Sequence, residues 1–254
     1  MLKTITSDKL TVQICETRRE MGNMAGHDIA EYLRKLLAEQ DEVNMIFAAA
    51  PSQNETLEAL CAAEGIDWTR VNAFHMDEYI GLPEGAPQTF VTYLYDHIFG
   101  KLPFRNIFCI RGFEEDIEAE CARYTALLEE YPTDIVCLGI GENGHIAFND
   151  PWIAQFNDDC MIKKVPLDEV CRMQQVHDGC FPELEDVPTH ALSLTIPALT
   201  KAKAMFCSVP AKTKREAVTR TVNERISEDC PATIMRLHDH AVMYVDSDSG
   251  ADLL

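Results

Sequence analysis

The chain has 254 residues, 46% of them hydrophobic and 25% charged, a composition of ordinary globular type and a length that suits one α/β domain. Its 42 acidic and 22 basic side chains give a formal net charge of −20, which excludes nucleic-acid and anionic-membrane partners because both need clustered cations. With no apolar run of signal-peptide or membrane-span length, the chain reads as cytoplasmic, and its ten cysteines, none spaced Cys-x-x-Cys, read as free thiols.

Apolar, β-branched runs predict strands over Leu10 to Ile14, Val43 to Ala49, Arg70 to Phe74, Ile107 to Ile110, Asp134 to Ile140, Ala191 to Ile196, Ala204 to Val209 and Ala241 to Val245. Between them, Met21, Ala25, Ile29, Leu33 and Leu36 or Leu37 recur at helical spacing, and helical periodicity returns over 54–64, 89–99, 116–129 and 213–223. Strand and helix alternation with nearly continuous apolar strands predicts a doubly wound, mostly parallel sheet with helices on both faces, Rossmann-like in class. The interval 151–189 breaks this rhythm with Asp, Asn, Pro and Gly, and its length predicts a lid or binding loop over a site.

Open parallel sheets bind ligands beyond the carboxyl ends of their strands, so the residues just after each strand carry the chemistry. After the second predicted strand comes Ala49-Ala50-Pro51-Ser52-Gln53-Asn54-Glu55, in which Ser52 and Glu55 fit a helix capping box while the same hydroxyl and helix start could receive a phosphate. After the third comes His75-Met76-Asp77-Glu78-Tyr79; extended backbone turns only one of the adjacent carboxylates to a pocket, predicting Asp77 as the base and Glu78 in structural hydrogen bonding. After the fifth comes Gly139-Ile140-Gly141-Glu142-Asn143-Gly144-His145, followed by Asp150-Pro151. The Gly-x-Gly-x-x-Gly pattern suggests a dinucleotide site, but it follows the fifth strand and Pro151 interrupts the helix it should open. A tight turn presenting His145, with Asp150 to fix its tautomer and raise its proton affinity, fits these residues better. His238-x-His240 and His75-x-Asp77 lack a third ligand at recognisable spacing, so no metal is expected.

Met76-Asp77-Glu78-Tyr79-Ile80-Gly81-Leu82-Pro83 and Gly139-Ile140-Gly141-Glu142-Asn143-Gly144-His145-Ile146-Ala147-Phe148-Asn149-Asp150-Pro151 resemble the two signature motifs of the glucosamine-6-phosphate deaminases, and the order of elements is similar along nearly the whole chain. The resemblance implies conversion of a small hexosamine phosphate, glucosamine 6-phosphate, to fructose 6-phosphate and ammonia, without cofactor or required metal. It implies catalytic roles for Asp77, His145, Asp150 and Asn143. It assigns substrate and phosphate binding to Ser52, Gln53, Gly144, Lys214 and Arg172, and leaves a homo-oligomer open. Ala49-Ala50-Pro51-Ser52 stands where the family usually has Thr-Gly-Gly-Thr, Asp150 where glutamate is usual, and Arg172 at an altered spacing. These departures leave open which amino sugar is used, and a related lactone hydrolase or a sugar-phosphate sensor stand as alternatives.

Overall fold

The computed structural model describes residues 1–177 and 179–254; Asp178 lies outside the described residues. Among the described residues eleven strands form two sheets. They are β1 Lys3–Ser7, β2 Leu10–Ile14, β3 Val43–Phe47, β4 Val71–His75, β5 Asp77–Tyr79, β6 Asn106–Phe108, β7 Ile135–Leu138, β8 Ile162–Pro166, β9 His190–Leu194, β10 Ala204–Val209 and β11 Ala241–Val245. The large sheet runs β1-β2-β11-β10-β7-β3-β4-β6 and is parallel throughout except for the β1–β2 hairpin. Every residue of β3, β4, β7 and β10 is buried, as expected of strands covered by helices on both faces.

From β3 the chain winds to one side through β4 and β6, and from β7 it winds to the other through β10 and β11. The direction of winding therefore reverses between β3 and β7, and the crevice opens at that switch point. The loop after β3 and the glycine-rich loop after β7 flank it.

Among the described residues seven α-helices accompany the strands: α1 Arg18–Glu39, α2 Asn54–Cys61, α3 Phe90–Leu94, α4 Ile117–Glu130, α5 Glu169–His177, α6 Ile196–Thr200 and α7 Arg215–Asn223. Thr17 caps α1 by accepting a hydrogen bond from the Glu20 N–H, and the apolar stripe Met21, Ala25, Ile29, Leu33 and Leu37 faces the core. Helices α1 and α2 pack closely because a Cβ on Gly22 would sit 2.2 Å from the Glu55 Cβ, and one on Gly26 would sit 2.5 Å from the Ala59 Cβ. Among the described residues no helix is long and apolar enough to cross a membrane.

Two expectations change. The strand predicted over Ala191 to Ile196 does not extend the large sheet; β9 is the middle of a separate antiparallel sheet, β5-β9-β8. The interval 151–189 is more regular than its composition suggests, since it carries β8, α5 and a 3₁₀ turn at Leu184–Asp186. In β8 only Ile162 and Val165 are buried, so the strand has no alternating signature and is defined by its pairing with β9.

Candidate active site

The loop after β7 is folded by hydrogen bonds of its own. The Gly141 N–H donates to the His145 carbonyl at 2.9 Å, and the Gly144 N–H donates to the Gly141 carbonyl at 3.1 Å. Gly144 has a φ of +86°, a left-handed conformation that favours glycine, and a Cβ there would also meet the Cys230 Sγ at 2.6 Å. Gly144 thus shapes the turn and does not line the cleft.

His145 Nδ1 lies 3.0 Å from Asp150 Oδ1, so an aspartate still reaches the imidazole. Asn143 braces both residues: its amide donates to Asp150 Oδ1 at 2.7 Å, and its side-chain oxygen accepts from the His145 N–H at 3.0 Å. Asp150 is fully buried behind the ring. Burial works to raise its pKa, but the hydrogen bond and charge of His145, with the Asn143 amide, outweigh burial and hold the carboxyl below its ordinary value. An ionised Asp150 fixes the Nδ1–H tautomer and leaves Nε2 free to accept a proton.

Asp77 comes from the small sheet. After His75 the chain leaves the large sheet, and the Met76 carbonyl accepts from the Leu194 N–H at 2.8 Å, which starts the β5–β9 pairing. The Glu78 carboxylate turns away from the cleft and accepts three backbone N–H groups, from Tyr79, Phe90 and Val91, at 2.9–3.1 Å. Asp77 lines the cleft, and among the described residues its carboxylate makes no hydrogen bond. Burial first, then the neighbouring Glu78, raises its pKa well above the ordinary carboxylate value. Ser193 connects the two parts of the site: it pairs with Asp77 across β5 and β9, and its hydroxyl accepts from the Phe148 N–H of the histidine loop at 3.0 Å.

The opposite end of the cleft is built by the loop after β3 and the start of the segment after β10. Pro51–Gln53 forms a 3₁₀ turn that leads into α2. The N-cap position of α2 is Gln53, which makes no capping hydrogen bond, so the expected capping box does not form. Ser52 lines the cleft, its hydroxyl accepting from the Gln53 amide at 3.1 Å, and Glu55 binds Arg18. Gln53 is buried below the loop, where its amide donates to the carbonyls of Leu138 at 3.1 Å and Ser208 at 3.3 Å. It therefore ties the β3 loop across the ends of β7 and β10 and lines no part of the cleft.

Lys214 lines the cleft and is only 8% exposed. It follows Ala211, whose φ of +81° and ψ of 149° lie in a region costing a non-glycine residue about 1–3 kcal/mol. Asp246 holds this conformation by accepting the Ala211 N–H at 3.0 Å.

Arg172 does not enter the cleft. Its guanidinium donates to the carbonyls of Leu184 and Val187 at 2.6–3.1 Å and pins the segment after α5. The arginine on the cleft is Arg18, which the sequence reading did not select. Its Nε donates to both Glu55 oxygens at 2.8 and 2.9 Å, and Nη2 donates to the Pro51 carbonyl. A sequence signal existed: Arg18 stands at the first position of α1, where the helix dipole disfavours a cation.

One cleft therefore carries Asp77, His145, Ser52, Lys214 and Arg18, with Asp150 and Asn143 directly behind the imidazole. Phe90, Phe148 and Met76 form its apolar wall. The combination is a carboxylate unpaired among the described residues, an oriented imidazole and a cationic end.

Comparison with known proteins bears on family and fold. The family model described as glucosamine-6-phosphate isomerases/6-phosphogluconolactonase matches residues 16–244. A glucosamine-6-phosphate deaminase of Listeria welshimeri is 35% identical over 210 residues, covering 83% of this chain and 88% of the relative. One from Bacillus cereus is 36% identical over 184 residues, 72% of this chain and 68% of the relative. Among solved structures, a monomeric glucosamine-6-phosphate deaminase superposes with a TM-score of 0.85 at 28% identity, covering 94% of this chain and 98% of that one. A 6-phosphogluconolactonase from Thermotoga maritima, at 19% identity and a TM-score of 0.76 over 94% of this chain and all of that one, shares the fold.

Proposed function

Because the chain belongs to the glucosamine-6-phosphate isomerase and 6-phosphogluconolactonase family, we propose that it converts glucosamine 6-phosphate and water to fructose 6-phosphate and ammonia in the cytoplasm. The observation that carries this reading is the buried, unpaired Asp77 carboxylate on the same cleft as the His145–Asp150 pair. Water attack on a lactone needs one general base, whereas moving a proton between adjacent carbons needs a second one placed over the C1–C2 bond.

His145 opens the pyranose ring: Nε2 takes the proton of the C1 hydroxyl and returns it to the ring oxygen as the C1–O5 bond breaks. Asp150 stabilises the transient imidazolium, and Asn143 holds both partners in register. Asp77 then takes the proton from C2 while O1 takes one from the C2 ammonium group, giving an enolamine, and Asp77 delivers its proton to C1. The resulting C2 iminium adds water and releases ammonia, leaving the ketose. The apolar wall of Phe90, Phe148 and Met76 keeps bulk water from the base and supports its raised pKa.

Purified protein is expected to release ammonia and fructose 6-phosphate in equal amounts from glucosamine 6-phosphate. Absence of turnover across a panel of hexosamine phosphates, with hydrolysis of 6-phosphogluconolactone instead, would overturn the proposal. In the same assay the acid limb of the pH–rate profile is expected above the ordinary carboxylate range, because turnover needs Asp77 ionised and burial delays that ionisation.

The anionic end of the substrate falls to Ser52, Lys214 and Arg18. Pro51 offers no N–H to a phosphate, and Arg18, fixed beside it by Glu55 and the Pro51 carbonyl, supplies charge at that point. Arg18→Ala is expected to raise KM by about 10-fold or more, the loss of one charge-assisted hydrogen bond, with kcat nearly unchanged. Steady-state kinetics with inorganic phosphate as competitor checks this; unchanged KM and unchanged phosphate inhibition would remove Arg18 from the subsite.

A further inference from the structure

His145, Asp150 and Cys171 bring three kinds of ligand atom together. One imidazole nitrogen, one carboxylate oxygen and one thiol sulfur all lie within 4.8 Å of one another, and all three side chains are buried. The sequence gives no metal-like spacing because Cys171 lies on α5, beyond β8, and meets the histidine loop only through the tertiary fold. Asp168 anchors it there by accepting the Cys171 N–H at 2.7 Å. Two residues of the cluster belong to the proposed chemistry, but Cys171 has no part in it.

A second observation points to a ligand. Asp150 is fully buried: its Oδ1 is shared by His145 and Asn143, and on its other side its donor is a thiol S–H. A thiol is a weak donor to a buried carboxylate, so an ion that binds both groups is a stronger partner for each than they are for one another. The neighbouring group on that side is the Cys171 thiol, itself 1% exposed.

We propose that His145, Asp150 and Cys171 form an inhibitory binding site for a divalent transition-metal ion, with zinc the best match to the donor set. Imidazole nitrogen, carboxylate oxygen and thiolate sulfur are all zinc ligands, and three protein ligands leave a fourth position for water. Calcium and magnesium are excluded because they require oxygen ligands in larger number. The ion enters between His145 Nδ1 and Asp150 Oδ1 and replaces the proton shared there. The Cys171 S–H bond breaks as the sulfur–metal bond forms, and its proton leaves to solvent with no change of oxidation state. Gln175, one turn further along α5, lines the cleft, so the same helix borders the route by which an ion reaches the cluster.

Metal binding removes the hydrogen bond that orients the imidazole, so turnover stops while the fold stays intact. This inhibitory consequence rests on the catalytic reading of His145 and Asp150 proposed above; binding of the ion does not.

The test uses the full chain stripped with EDTA, with Co²⁺ as the spectroscopic probe and Zn²⁺ in activity assays. The expected result is one Co²⁺ per chain with a sulfur-to-cobalt charge-transfer band that disappears in Cys171→Ser. Zn²⁺ is expected to inhibit the parent reversibly. Cys171→Ser keeps the parent's metal-free turnover but needs about 10- to 100-fold more Zn²⁺ for the same inhibition. Absence of a thiolate band, or a band unchanged in Cys171→Ser and therefore arising at another cysteine such as the exposed Cys160, overturns the site. A band lost in Cys171→Ser without inhibition by Zn²⁺ supports the site and overturns its inhibitory role, together with the catalytic reading of the histidine pair.

Discussion

Asp77→Asn is expected to lower turnover by about 10²- to 10⁴-fold, the usual contribution of a positioned general base, and to melt at a higher temperature than the parent at neutral pH. Both effects have one origin. Asp77 is almost fully buried, accepts no hydrogen bond among the described residues, and lies next to the buried Glu78. Its folded-state pKa is therefore raised above the unfolded value, burial being the larger cause and Glu78 the smaller. A group shifted in this direction contributes its full stability below the unfolded carboxylate pKa of about 4 and loses it as pH rises through the folded value. Above the unfolded pKa the parent carries a cost that grows with pH, and asparagine, which has the same shape and no charge, does not. The melting-temperature gap between variant and parent should be small near pH 4 and widen toward pH 8, at about 2–4 °C per kcal/mol for a chain of this size. A gap that stays constant with pH would mean that Asp77 is not the strained carboxylate. Turnover equal to the parent's would mean that it is not the base.

Much of this site was legible in the sequence, for physical reasons that also explain what was not. Asp77 and His145 follow buried strands, where apolar continuity identifies the strand and the next polar residue falls on the carboxyl rim. Their opposite outcomes beside the cleft, with Asp77 on it and Glu78 turned into three backbone N–H groups, follow from the two-residue repeat of extended chain. The large sheet was readable because parallel strands buried on both faces are apolar throughout, whereas β8 is held by its pairing partner and carries only two buried residues. Of the two readings of Ser52 the cap fails, because Ser-x-x-Glu specifies the box only if the serine ends extended chain; here Pro51 begins a 3₁₀ turn and Glu55 is drawn to Arg18. Arg172 was placed at the substrate and Arg18 passed over for a related reason. A basic residue in a predicted helix says nothing of which tertiary neighbour claims it, and two backbone carbonyls claim Arg172.

Gly141→Ala is expected to reduce kcat by at least about 10²-fold without unfolding the protein, since a displacement of about 1 Å in a catalytic group has that effect. A Cβ on Gly141 would lie 2.1 Å from His145 Cε1 and 2.3 Å from both ring nitrogens, closer than any real contact. Gly141 does not have a positive φ, so alanine can adopt the backbone there, and the clash must be relieved by the imidazole. The ring has little freedom to yield: its Nδ1 is hydrogen-bonded to Asp150, and its own carbonyl accepts the Gly141 N–H, so the backbone on both sides is fixed. Relief therefore means rotation of the ring out of the cleft and loss of the His145–Asp150 bond. The discriminating measurement is a cycle with His145→Ala. If Gly141→Ala acts by displacing the imidazole, the two single variants should be impaired to similar extents and the double variant little more than either, because a group already displaced cannot be removed twice. Additive losses would place the effect of Gly141 elsewhere in the loop. An unimpaired Gly141→Ala enzyme would show that the His145 position described here is not the one used in turnover.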